Sequence, residues 1–333
     1  MEELTIIIPT YNRLIELKNT ITKILPQLTN ERLIVLDNHS NYNIDIELAD
    51  LVSQSKGKLT LITNKTNLGL SGNFLKAFEI CDTKYLWLLG DDDCPTKDGL
   101  SIINSLISIK DFHFIKFSSS IYQNQHEFET VENDGFLDYF TTEREKKFSN
   151  FVFVSNSIFN IHEMKNHIQS GYQYANTYAP HLSIFLHSFF QQETSPILFS
   201  EKEIVKHISP VENRWARYKV YLGFKSFDFL EINLTKIQSS KFIKILHSFT
   251  SNYKRTFIEL YQLGRLEGDF ENSKKIYKHL FFYNSMGITN YCFSRFLFLC
   301  LDKPYMIRVI RKLSSEFDEV YREIDVETSK KRL

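Results

Sequence analysis

The sequence predicts an α/β fold: a mainly parallel, Rossmann-like sheet flanked by helices and followed by a helical C-terminal region. Three observations predict it. Within the first 110 residues, four short apolar runs alternate with helical patterns. The runs are continuous rather than alternating, as strands buried on both faces require. Each run stops at a polar cluster, and in parallel sheets ligands bind at those strand ends. Beyond residue 215 the strand pattern gives way to helical periodicity. We therefore expect a domain over residues 1–215, with halves at 1–110 and 111–215, and a helical region over 216–333.

In order, Leu4-Thr5-Ile6-Ile7-Ile8 is a β-branched run stopped by Pro9, with Thr10-Tyr11-Asn12 as a turn. Apolar Leu14, Ile15, Leu17, Ile21, Ile24 and Leu25 then space as a helix. Residues 32–36 are a second strand, ended by Asp37-Asn38-His39-Ser40, and Leu59–Thr63 a third, ended by Asn64. After Asn67-Leu68-Gly69-Leu70-Ser71-Gly72-Asn73 a helix runs through Cys81, a strand covers 84–89, and a helix spans 98–109. Strands are also expected at 112–122 and 151–159, separated by a polar loop with a short helix, and a helix at 182–190.

Composition excludes several classes. Lys+Arg and Asp+Glu both number 40, so no global charge points to nucleic acid. Cys81, Cys94, Cys292 and Cys300 show no Cys-x-x-Cys spacing, which argues against a zinc site or disulfide framework and fits a reduced cytoplasm. No stretch reaches the roughly 18 apolar residues of a spanning helix, and the N-terminus does not read as a signal peptide. With 29 Phe and 17 Tyr against 11 Gly, much apolar surface must be packed or presented.

The chemistry concentrates where Tyr85-Leu86-Trp87-Leu88-Leu89 runs into Gly90-Asp91-Asp92-Asp93. Three carboxylates at the end of a buried strand call for a cation or a set of donors. A hard divalent ion, Mg2+ or Mn2+, takes oxygen ligands and shares them with phosphates. The plainer reading is an Asp-rich turn before the next helix.

Taken together, residues 5–13, 35–40, 67–73 and 85–93 resemble the nucleotide-sugar-binding half of family 2 glycosyltransferases of the GT-A fold. The Gly-Asp-Asp-Asp form followed by Thr96-Lys97-Asp98-Gly99-Leu100, and the later Tyr178-Ala179-Pro180-His181-Leu182, resemble abequosyltransferase-type enzymes of bacterial O-antigen clusters. The resemblance implies transfer of a sugar from a UDP-, dTDP- or CDP-type donor to a saccharide or lipid-linked saccharide acceptor, in O-antigen or capsule synthesis, with inversion. It implies a divalent cation on Asp92 and Asp93, Asp92 matching the last Asp of the family's Asp-x-Asp while Gly90 occupies the place of the first. It also implies that Asp37 and Asn38 read the base and ribose, with Pro9, Thr10, Tyr11, Asn67, Gly69, Asn73 and Asp91 in the donor site. Gly72 stands where relatives often carry Arg, so Arg13, Lys76 or Lys97 would supply the cation for the diphosphate, or Arg214 in the returning segment with His207 and Asn213. Relatives place a carboxylate base about a hundred residues past the metal motif. Here His181 is the best-placed titratable group, with Glu193 and Asp138 as alternatives. A nucleotidyltransferase lacks support, because no Gly-rich basic loop follows the first strand. A catalytically inactive sugar-nucleotide or scaffold protein is the other reading, given the missing first Asp.

Between 273 and 312, eight Lys and Arg face Asp302 alone, interleaved with aromatics. This suits either the anionic inner membrane surface or a helical bundle with a solvated basic face.

Overall fold

The computed structural model describes residues 3–119, 128–140, 145–177, 179–191, 194–206, 232, 234–246, 253–282, 288–315, 317–319 and 321–322. The chain divides into two compact units, Met1–Ser209 with Leu230–Ser239, and Pro210–Phe229 with Ser240–Leu333.

In the first unit the strands are β1 (Leu4–Thr10), β2 (Arg32–Asp37), β3 (Leu59–Thr63), β4 (Tyr85–Leu88), β5 (Cys94–Pro95), β6 (Phe114–Ser118), β7 (Phe128–Val131), β8 (Ser157–Asn160), β9 (Ile197–Glu203) and β10 (Val205–Lys206). Among the described residues they form one sheet in the order β3-β2-β1-β4-β8-β6-β9-β7 and a small antiparallel pair, β5 with β10. The first four strands are parallel, β8 runs antiparallel to β4 and β6, β9 is parallel to β6, and β7 closes the edge antiparallel to β9. The helices Leu14–Ile24, Gly69–Ile80 and Gly99–Ile107 follow β1, β3 and β5.

Local reasons explain the placements. Pro9 does not end β1: β4 pairs with β1 only as far as Ile7 opposite Leu88, so the missing Pro9 N–H falls beyond that ladder. The β1, β2 and β4 interiors are buried end to end, as their unbroken apolar runs demand. Ile15, expected on the inner face of the first helix, is 75% exposed, and the buried stripe is Leu17, Thr20, Ile21 and Ile24.

Two expectations need correction. The strand expected over 151–159 begins only at Ser157, and a 3-10 helix, Glu145–Val152, precedes it. Phe148 and Phe151, three apart, stack on one another at 5.3 Å, and Phe151 stacks on Phe114 of β6, a spacing of helical rather than strand type. The segment before it, expected as loop and short helix, also contributes the edge strand β7, with the helix Phe136–Tyr139 after it.

The abundant phenylalanine is largely packed. Phe114, Phe136, Phe140, Phe148, Phe151, Phe185, Phe189 and Phe199 are buried, and Phe136 alone makes edge-to-face contacts with Phe140, Phe185 and Phe189.

The second unit contains the helices Tyr253–Glu267, Phe270–Phe282, Ile288–Cys300 and Pro304–Leu313. They share a core of their own that includes Phe257, Tyr261, Tyr277, Leu297, Ile307 and Phe317. Gly264 permits close packing there, since a Cβ on it would lie 2.6 Å from the Phe270 ring. Asp302 is paired with Lys274 at 2.7 Å. No described helix is long and apolar enough to cross a membrane.

Candidate functional site

Parallel pairing sets Thr10 of β1 beside Asp37 of β2, and the chain leaving β4 reaches the Asp triplet next to them. The loops above these ends are stitched together. Asn38 N–H donates to Thr10 O at 2.9 Å, Asn12 N–H to Ser40 Oγ at 2.8 Å, and Asn41 N–H to Asn12 Oδ1 at 2.8 Å. Asn12 holds a left-handed φ of 54°, which Asn tolerates better than most residues. Asp37 is buried and accepts from Ser40 N–H at 3.2 Å and Ser40 Oγ at 2.6 Å, which fixes the turn that carries it. Tyr11 is 43% exposed at the lip of the crevice.

Asn38, Asn64, Asn67 and Asn73 form a second layer. Asn38 Nδ2 donates to Asn67 Oδ1 and Gly69 O, and its Oδ1 accepts from Asn64 Nδ2 and Leu68 N–H. Asn73 joins Asn64 to Leu36 O. Asn67 also accepts from Gly69 N–H at 2.8 Å, and Gly69 sits at φ 70°. With its carboxamide saturated by these bonds, Asn38 shapes the crevice wall and ties β2 to the start of the helix Gly69–Ile80.

The triplet divides. Asp91 is buried: Oδ2 accepts from Thr10 Oγ1 at 2.8 Å and Oδ1 from Arg13 Nη1 at 3.1 Å. Burial pushes its pKa up to about 6, against the lowering effect of Arg13. Asp93, expected as a second metal ligand, also turns inward and accepts from Ser155 Oγ at 2.5 Å. Asp92 turns outward with 29% of its side chain exposed, and its Oδ2 lies 2.6 Å from Arg13 Nη1. Of the two Asp expected to meet a cation, Asp92 is the one nearer to solvent.

Gly90 has a local explanation. A Cβ there would lie 2.6 Å from Asp93 Oδ2 and 3.2 Å from Ser155 Oγ, so the inward bond of Asp93 leaves no room for a side chain. Thr20 Oγ1 lies 2.9 Å from both Asp91 O and Asp93 O and pins the turn from the first helix.

Ser155, Thr20 and Lys116 are residues that the sequence analysis missed. Gly90 N–H donates to Ser155 Oγ at 2.9 Å, and Trp87 Nε1 donates to Ser155 O at 2.7 Å. Lys116, fully buried on β6, donates to Phe153 O at 2.7 Å, to Ser157 Oγ at 2.8 Å and to Asn156 Oδ1. Burial pushes its pKa well below the ordinary lysine value. Residues 153–157 therefore form a bracket that Lys116 holds from one side and the Asp93 turn from the other. The one available signal was a lysine inside an apolar strand, Phe114-Ile115-Lys116-Phe117.

His181, expected as the base, lies in the interior. It is 1% exposed, its Nε2–H donates to Phe151 O at 2.9 Å, and Phe74 and Phe159 lie edge-on at 6.1 Å. Burial lowers its pKa to about 4. A buried ring with a lowered pKa among phenylalanines suits packing better than a base at an acceptor hydroxyl. Lys76 pairs with Glu79 along its own helix. Lys97 and Asp138 are exposed. Arg214, His207, Asn213 and Glu193 lie outside the described residues. Among the described residues no group of three or more His, Cys, Asp or Glu is arranged to hold a metal.

Residues 5–163 match the model of the family described as glycosyl transferase family 2. No curated protein matches the chain. Among solved structures, S. aureus TarS 1–349 is 14% identical over 88% of this chain and 90% of that chain, with a TM-score of 0.57. The same TarS fragment in complex with UDP-GlcNAc is 12% identical over 84% and 82%, also at 0.57. The architecture is the GT-A fold with a helical C-terminal region. The matched stretch contains β1 from Thr5 onward, β2 to β4, the triplet, Lys116 and the Ser155 bracket.

Proposed function

We propose that the chain is a glycosyltransferase that moves a sugar from a nucleotide diphosphate donor to a saccharide or lipid-linked saccharide acceptor. The observation that carries this reading is the outward Asp92, bridged to Arg13, beside the Asp37 turn and the exposed Tyr11. These are the parts a nucleotide diphosphate needs: an acceptor for base or ribose, a flat ring, a cation for phosphate and a carboxylate facing outward.

Each residue has a stated task. Asp37 accepts from the base or ribose, and Tyr11 lies against the base. Arg13 pairs with the diphosphate through its planar fork. A divalent cation, Mn2+ or Mg2+, fits only on Asp92, because Asp91 and Asp93 point inward, so phosphate oxygens and water would complete its coordination. Such a cation supplies charge neutralisation for the departing nucleotide diphosphate. Sugar transfer itself places charge on that leaving group, and fixed positive groups stabilise it without proton transfer.

A UDP donor is the first to test, since TarS was crystallised with UDP-GlcNAc and with UDP; dTDP and CDP donors follow from the sequence resemblance. The same resemblance supports an inverting reaction in bacterial O-antigen or capsule synthesis. With His181 withdrawn, Glu193 and Asp138 are the carboxylates to examine as base. The exposed Ile288, Leu299 and Leu313, together with the exposed Lys303, Arg308 and Lys312, support association with an anionic membrane surface.

The test is a thermal-shift panel of UDP-, dTDP- and CDP-sugars with and without Mn2+, followed by donor hydrolysis and transfer assays. A ligand at 100 times its Kd adds about 2.7 kcal/mol to stability, which a melting curve detects. A panel without any shift would overturn the reading.

A further inference from the structure

Asp92 offers a cation its one outward carboxylate oxygen pair, yet Oδ2 is already held at 2.6 Å by Arg13. The same Nη1 reaches Asp91 at 3.1 Å, and both hydrogen bonds of the guanidinium leave from that nitrogen. Nη2 and Nε make no hydrogen bond among the described residues, and the side chain is 20% exposed. The guanidinium thus occupies the carboxylates with one corner while keeping its remaining donors for something else. Arg can spread its donors over a phosphate group, and a diphosphate carries more negative charge than Asp92. A divalent cation that approaches Asp92 before nucleotide arrives meets a positive charge already bound to the oxygen it needs.

Resting on the nucleotide reading above, we propose that Arg13 makes cation and nucleotide binding cooperative. Without nucleotide its guanidinium closes Asp92 to a divalent cation. A nucleotide diphosphate draws the guanidinium onto its own oxygens and thereby frees the carboxylate. Coupling of this kind is reciprocal, so the cation tightens nucleotide binding by the same factor as nucleotide tightens cation binding.

The experiment measures Mn2+ binding by the electron paramagnetic resonance signal of free Mn2+, with and without UDP, for the full chain and for Arg13→Gln and Arg13→Lys. Arg13→Gln is expected to bind Mn2+ about tenfold more tightly in the absence of UDP, and the tightening caused by UDP should shrink by about tenfold or more. Arg13→Lys keeps one positive charge without the fork and should show a coupling between the two. Unchanged Mn2+ affinity in Arg13→Gln without UDP, or the same UDP effect as wild type, overturns the proposal. If Arg13→Gln does not fold, Arg13→Lys carries the test alone, and a coupling at or above wild type overturns it. A wild-type chain that is stabilised by a UDP-sugar but never binds Mn2+ overturns this inference and leaves the glycosyltransferase reading standing. No response to any nucleotide sugar overturns both.

Discussion

Arg13 Nη1 lies 2.6 Å from Asp92 and 3.1 Å from Asp91, so one cationic nitrogen serves two carboxylates of different burial. For Asp91 the contact offsets desolvation within the protein, while for Asp92 it restrains a group that faces outward. The two residues should therefore respond differently to substitution.

Asp92→Asn should lower transfer by about 10²–10³-fold with little change in melting temperature, the scale of losing one electrostatic contact to the departing group. Asp91→Asn should instead change the melting temperature more than it changes transfer, because Thr10 and Arg13 then meet a neutral amide in place of a buried carboxylate. Kinetics and melting curves on both variants check this. Equal kinetic loss with equal stability would show that the triplet acts as a unit.

Gly90→Ala should cost about 1–3 kcal/mol, since its Cβ would meet Asp93 Oδ2 at 2.6 Å and move either the turn or the Ser155 bond. Gly90→Asp, which restores the family's first carboxylate, should not strengthen Mn2+ binding and should destabilise more. Tighter Mn2+ binding in that variant would show that the turn accommodates the side chain.

Asp37→Ala should raise the donor KM more than it lowers kcat, because base recognition is shared by ground and transition states. It should also melt earlier, as Ser40 loses its acceptor. A change confined to kcat would contradict the assignment.

His181→Phe should leave transfer within a few-fold of wild type, with no change in the pH–rate profile near 6.5. Its mark is on stability. The folded pKa of His181 is about 4, below the ordinary 6.5, so between those values the unfolded state binds the extra proton. Wild-type stability gains from this group as pH rises through the window and loses about 3 kcal/mol as pH falls from 6.5 to 4. Asp91 works in the opposite sense: its folded pKa of about 6 lies above the ordinary 3.8, so the folded state holds the extra proton and stability falls as pH rises from 4 to 6. The two slopes oppose each other in the wild type. The stability gap between wild type and His181→Phe should therefore narrow as pH drops, measured by denaturant titration at pH 4.5, 5.5 and 7. A gap independent of pH would sink the assignment.

The legible parts of this molecule were those with short-range causes. Continuous apolar runs gave β1 to β4, and an Asp triplet after one of them marked the site. The Ser155 bracket was not legible, because Ser155 meets Asp93 across 62 residues and no local pattern announces it. His181 misled for a related reason: a titratable residue preceding a helix reads the same whether it faces a crevice or Phe74 and Phe159. The strand β7 escaped because Phe128-Glu129-Thr130-Val131 is largely exposed at a sheet edge and carries little hydrophobic signal. Asn38 and Asn73 were expected in the donor site, and their hydrogen bonds tie β2 to the helix Gly69–Ile80.

Lys116 gives the folding reaction a chemical by-product. In the extended chain its amine is an ordinary ammonium, whereas inside β6 burial lowers its pKa well below the ordinary lysine value. In the pH range between its folded and free values, folding releases a proton to the solvent and unfolding takes one back. The calorimetric heat of unfolding should then differ between buffers by their own ionisation enthalpies, and that difference should shrink in Lys116→Met.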